Sequence, residues 1–160
     1  MVAQLPDVAA VSEKQALPIT EEYFRNLCSR FLDVKSMRIL NNLSLVPPRN
    51  DALTGSAFVD SWYDKERALR LSLAQVRALK MHKESEQLNG SCTGDVLQAA
   101  RTAVGMDSPL AAEQYLYQYR INVVNQIAPI DIFSIDAIFA YGIKLMLAQR
   151  MKLFNEDTGM

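Results

Sequence analysis

Histidine is nearly missing from this sequence, with His82 the single one in 160 residues. It lies near the end of a charged helical pattern, with no nucleophile close by in sequence and no carboxylate to orient it. A general base needs geometry and a tuned pKa together, so His82 reads as a surface residue. Cysteine is almost as scarce: Cys28, Cys92 and one histidine do not supply a usual zinc ligand set at the usual spacing. Neither a Gly-x-x-x-x-Gly-Lys phosphate loop nor a Gly-x-Gly-x-x-Gly turn is present. These absences point away from an enzyme and imply no cofactor. An excess of charge of one sign is lacking too. Lys plus Arg is 17 against 18 for Asp plus Glu, which gives no reason to expect nucleic acid or another polyanion as partner. No apolar run approaches the ~20 residues needed to cross a bilayer. The first residues hold no basic stretch followed by an apolar core, so no export signal is expected. The expected setting is cytoplasmic, with reduced thiols, any membrane link running through a partner. A Cys28–Cys92 disulfide is the alternative to two thiols.

What is present has ordinary globular character, 49% hydrophobic and 22% charged, in a chain long enough for one domain with a real core. Glycine and proline fall mostly between periodic segments. Residues 1–18 read as weakly structured, with Val2-Ala-Gln-Leu a short strand or a loose tail and Pro6 and Pro18 as brackets. Residues 19–154 read as a single helical domain, and residues 155–160 as a tail.

Thr20 opens the first helix, with Glu21 and Glu22 in its first turn, where the helix dipole favours negative charge. Tyr23, Phe24, Leu27, Cys28 and Phe31 form its apolar face, and Ile19 with Phe24 has the spacing of a hydrophobic staple. Asp33 caps a second short helix carrying Met37, Leu40 and Leu43, and Val46-Pro-Pro stops it. A long middle helix follows from about Ser56 to Glu84, with Phe58, Trp62, Leu69, Leu73 and Val76 on one face. Asn89-Gly-Ser-Cys-Thr-Gly breaks it. Thr93 or Asp95 starts a short helix with Val96, Leu97, Ala100 and Val104, with Gly105 just past its end. Ser108-Pro109 begins the next as an N-cap followed by proline at the first position. That helix carries Leu110, Gln114, Tyr117, Ile121 and Val124. In the closing helix, capped by Ser134, Ile135, Ile138, Phe139, Gly142, Leu145, Met146, Gln149 and Leu153 share a face. Phe133 and Ile138 repeat the staple spacing. Ile143 and Leu147 widen the arc, so the helix is expected to be buried on most sides. Gly142 in mid-face costs about 1 kcal/mol against alanine but admits a close neighbour. About six helices make an all-α bundle.

Asp131 and Asp136 straddle a helix start, where capping explains them better than paired acid–base work. Glu66 and Arg70 stand four apart in the favourable order for a helical ion pair. Arg150 falls inside the apolar arc of the closing helix. A buried arginine needs a partner, so an inter-helix ion pair to Glu66 or Glu113 is expected, the alternative being a stem that reaches solvent. From Asp60 to Lys83 there are six basic residues against three acidic ones. That excess reads as a solvated face or as a contact for an acidic protein partner.

Two stretches carry a resemblance. Phe133-Ser-Ile-Asp-Ala-Ile-Phe-Ala-Tyr-Gly-Ile-Lys-Leu-Met-Leu-Ala-Gln-Arg resembles the last helical motif of the C (or d) subunit of V-type and A-type ATPases. The middle stretch Trp62-Tyr-Asp-Lys-Glu-Arg-Ala-Leu-Arg-Leu-Ser-Leu-Ala-Gln-Val-Arg-Ala-Leu-Lys, with Leu5-Pro6 near the start, is similar to an uncharacterised bacterial family encoded beside V-type ATP synthase subunits. Proteins of the C (or d) family are longer, with three similar helical lobes, so this chain corresponds to about one of them. Leu147-Ala-Gln-Arg-Met-Lys departs from the acidic residue and Asn-Leu-Arg found there in that family. The resemblance implies a non-catalytic structural or accessory component of a bacterial V-type ATP synthase, placed between central stalk and membrane rotor ring and tied to ion transport only through them. Lys65, Arg67, Arg77, Lys80, Lys144 and Lys152 are the expected partner contacts. The competing expectation is a stand-alone helical adaptor that binds protein through the Lys65–Lys83 face.

Overall fold

The computed structural model describes residues 5–6, 19–50, 52–81 and 94–157, and all secondary structure among them is helical. Six helices follow in order: α1 (Glu21–Ser29), α2 (Val34–Asn41), α3 (Ala57–Lys80), α4 (Gly94–Val104), α5 (Pro109–Ile127) and α6 (Ile135–Asp157). His82, Lys83, Cys92, the 1–4 stretch and residues 7–18 lie outside the described residues.

The helix starts follow from local hydrogen bonding. Each N-terminal turn leaves backbone N–H groups without a helical acceptor, and a short polar side chain just before the turn supplies one. Thr20 accepts from Tyr23, Asp33 from Ser36, Ser56 from Val59, Ser108 from Ala111 and Ser134 from Ala137. Gly55 is the one positive-φ glycine among the described residues, at 96°, and turns the chain into the α3 cap. Gly105 follows α4 without that left-handed conformation. At its far end α6 runs on through Asp157, past the boundary at Phe154 expected from the pattern.

The apolar side chains gather into two clusters. The larger joins Phe24 and Cys28 of α1, Leu40 of α2, Leu43 just past it, Phe58, Val59, Trp62 and Tyr63 of α3, Ile121 and Val124 of α5, and most of α6. The smaller joins Leu69 and Leu73 of α3 to Val96, Ala100 and Ala103 of α4 and Leu116 of α5. Helix α3 therefore enters the large cluster first and the small one second, whereas α5 does the reverse; the two are antiparallel.

Buried positions of α6 include Ala137 to Tyr141, Ile143, Leu145, Leu147, Ala148 and Met151, so it is enclosed on most of its circumference. Gly142 lies where a Cβ would sit 3.2 Å from a ring carbon of Phe24 and 3.4 Å from a methyl of Leu43. The close neighbour is thus a ring from α1 with leucines from and after α2. Other apolar positions depart from expectation. Tyr23, Phe31, Phe133, Ile135 and Leu153 are exposed, and an exposed Phe133 cannot staple the start of α6.

Candidate functional site

The strongest polar constellation joins the two apolar clusters. On α3, Glu66 continues the Phe58–Trp62 and Leu69–Leu73 stripe, and on α5, Arg120 continues the Leu116–Val124 stripe. Both side chains are therefore carried inward. Arg120 donates from Nε to both Glu66 oxygens at 3.1 and 3.0 Å, and from Nη2 to Oε1 at 2.8 Å. Arg70, one turn on, adds an Nε donor at 2.9 Å. Side-chain exposure is 1% for Glu66 and 8% for Arg120, so water contributes little to either. At such distances each group replaces the water the other has lost, and the fork geometry sets the register of α5 against α3. Arg120 is the residue missed by sequence reasoning; its spacing from Leu116 and Val124 was the available signal.

Arg150 pairs with Glu113 at 3.3 Å, linking α6 to the first half of α5, and not with Glu66. It is half exposed, so its position in the apolar arc is relieved at the surface. Asp136 reaches across to a different helix from its own. It accepts from Ser56 Oγ at 2.6 Å and lies 3.4 Å from the Phe58 amide. One carboxylate thereby serves the positive end of α3 while standing in the first turn of α6, where the dipole also favours it. Asp131 accepts from the Phe133 amide at 2.9 Å and does not approach Asp136 through any hydrogen bond.

The basic residues of α3 divide by what they touch. Arg67 donates to the Pro48 and Asn50 carbonyls and pairs with Asp64, Arg70 turns to Glu66 and the Leu45 carbonyl, and Lys80 donates to the Val104 carbonyl at the end of α4. Lys65 and Arg77 are exposed and carry no hydrogen bond or ion pair among the described residues. Lys144 and Lys152 are half-buried along α6. The six expected contacts do not converge on a single patch of free charge.

Two motifs distant in sequence do meet. Tyr141 Oη donates to the Pro6 carbonyl at 2.7 Å, and Leu5 packs against the large cluster, so the Leu5-Pro6 dipeptide is tied to Tyr141 of α6. Cys28 within this core is a free, fully buried thiol. Burial pushes it up to about 11, with Arg25 opposing weakly, and a thiol so placed is inert. Burial likewise raises the Tyr63 phenol.

The connection from α5 to α6 faces outward. Ile130 is fully exposed, Phe133 is 76% exposed, and Ile132 and Ile135 are each close to half exposed. The segment is held by its own hydrogen bonds, since Ser134 Oγ donates to the Asp131 carbonyl at 2.8 Å and the Ser134 amide does so at 3.2 Å. Its apolar side chains are thus presented on an ordered turn. Among the described residues no cluster of metal-ligating side chains occurs and no helix is long and apolar enough to cross a membrane. No family model, curated protein or solved structure matches this chain.

Proposed function

We propose that this chain is a non-catalytic protein-binding component of a bacterial V-type ATP synthase, lodged where central stalk and membrane rotor meet. The observation that carries the reading is the ordered apolar turn with Ile130, Ile132, Phe133 and Ile135 turned to solvent. Ile130 forgoes about 1.5–3 kcal/mol that burial would bring, the others a part of it, and contiguous exposed apolar groups mark interaction surfaces. The turn opens the Phe133–Arg150 stretch that resembles the last helical motif of the ATPase C (or d) family, which is what directs the reading to stalk and rotor components. A rigid bundle tied internally by Glu66, Arg120 and Asp136 suits a part that transmits force and performs no chemistry. The rival reading, a stand-alone adaptor working through the basic face, is favoured by Lys65 and Arg77, exposed and without partners among the described residues.

Co-purification tests the proposal. Tagged wild-type chain and the Ile130→Asp, Phe133→Asp double variant are isolated from cells that make the V-type complex. Stalk or rotor-ring proteins are expected with the wild type and not with the variant, whose helical circular dichroism stays unchanged. Isolation of the wild type free of every ATPase component contradicts it.

A further inference from the structure

A cleft of about 510 Å³ lies beside α2, walled by the irregular stretch that follows that helix and by the start of α3. Its size is within the ~300–1,000 Å³ typical of small-molecule sites. Ile39, Val46, Leu53 and Val59 give it apolar walls, the Tyr63 ring forms part of its lining, and Arg38 is the one charged side chain among its described lining residues. The walls are fixed from α3. Arg67 Nη2 holds the Pro48 and Asn50 carbonyls at 3.0 and 3.2 Å, and Asp60 Oδ1 accepts from both the amide and the hydroxyl of Thr54 at 2.9 Å. These bonds hold part of the cleft wall in place ahead of any ligand, which lowers the ordering cost of binding.

Among the described residues its charge is unbalanced, Asp51 between the lining Asn50 and Ala52 lying outside them. The Arg38 side chain carries no hydrogen bond or ion pair among the described residues, while on α3 Asp60 is engaged with Thr54 and Asp64 with Arg67. Tyr63 cannot answer the cation as a phenolate, because burial raises its pKa. Leu53, 84% exposed at the lip, is an apolar side chain left for an occupant to cover. We propose that the cleft binds a small amphiphilic anion, its apolar body against Ile39, Val46, Leu53 and Val59 and its carboxylate-like head on Arg38. The site shares no described lining residue with the α5–α6 turn and stands independently of any role in an ATP synthase.

Isothermal titration with three ten-carbon probes tests this: decanoate, decanol and decyltrimethylammonium. Decanoate is expected to saturate one site below about 1 mM, with decanol weaker and the cation weakest. Arg38→Gln, an exposed change that removes no observed bond, is expected to weaken decanoate about tenfold and leave decanol unchanged. Leu53→Asn is expected to weaken both. Arg49→Gln and Phe133→Asp, both outside the lining, are expected to weaken neither. No saturation by wild type at that concentration overturns the assignment. So does undiminished decanoate binding by Arg38→Gln, or loss of binding in Phe133→Asp.

Discussion

Replacing Glu66 by leucine is predicted to cost more than replacing its partner Arg120 by methionine, and the geometry sets the order. Every hydrogen bond observed for the Arg120 side chain goes to the Glu66 carboxylate, so Glu66→Leu strands a guanidinium that is 8% exposed. Stranding a buried charge typically costs about 3–5 kcal/mol. In the reverse case Glu66 retains Arg70 at 2.9 Å, a donor on its own helix that also touches solvent. The expected penalty for Arg120→Met is correspondingly smaller, about 2–3 kcal/mol. At about 2–4 °C per kcal/mol for a chain of this size, Glu66→Leu should lower Tm by roughly 6–20 °C. The double variant removes both charges and fills the space with apolar atoms, so it should return to within about 1 kcal/mol of wild type. Urea unfolding followed by far-ultraviolet circular dichroism measures all four proteins. Losses below about 1 kcal/mol for both single variants, or a double variant as poor as the sum of the singles, would refute the pair as the link between clusters.

Asp136→Ala removes the acceptor for Ser56 Oγ at the head of α3 and should cost about 1–2 kcal/mol in the same assay, with Ser56→Ala in the Asp136→Ala background adding less than it does alone. Gly142→Ala should be close to neutral, since a helix gain of about 1 kcal/mol offsets crowding of the Phe24 ring, whereas Gly142→Leu should lose about 1–3 kcal/mol or more by overpacking. Hydrogen bonds from Ser36 hold the Asp33 carboxyl below its usual 3.8. Its contribution is therefore present above that pH and disappears as pH falls through the lowered value. Acid titration of unfolding should show a shallower loss of stability below about pH 4 for Asp33→Asn than for wild type, because asparagine still caps α2 but does not titrate.

The helices were legible because their starts are written locally. Thr20, Asp33, Ser108 and Ser134 each make the cap bond their position implies, and that bond depends on the next three residues only. The burial of Phe58, Trp62, Leu69 and Leu73 on α3 was legible for a similar reason, as a stripe wide enough to have one inward solution. Exposure was harder. Tyr23, Phe31 and Phe133 are as apolar as the residues beside them, and only the arrangement of neighbouring helices decides which are covered. Pairing across the bundle was harder still. Glu66 had several arginines within plausible reach, and choosing Arg120 over Arg150 requires the antiparallel register of α3 and α5. Asp136 capping α3 from α6 spans 80 residues and leaves no local trace. The cleft beside α2 comes from an irregular stretch between Leu43 and Ser56, whose path depends on Arg67 and Asp60 holding its backbone.

Placement at the junction of stalk and rotor is tested by putting a photoreactive benzoylphenylalanine in place of Phe133, on the exposed turn, with the same group at exposed Val34 of α2 as control. Cells making the V-type complex are irradiated and the crosslinked product is identified by mass spectrometry. A central-stalk or rotor-ring protein is expected to be joined at position 133 and not at position 34. An unrelated protein at position 133, or no crosslink there while the chain remains folded, would contradict that placement.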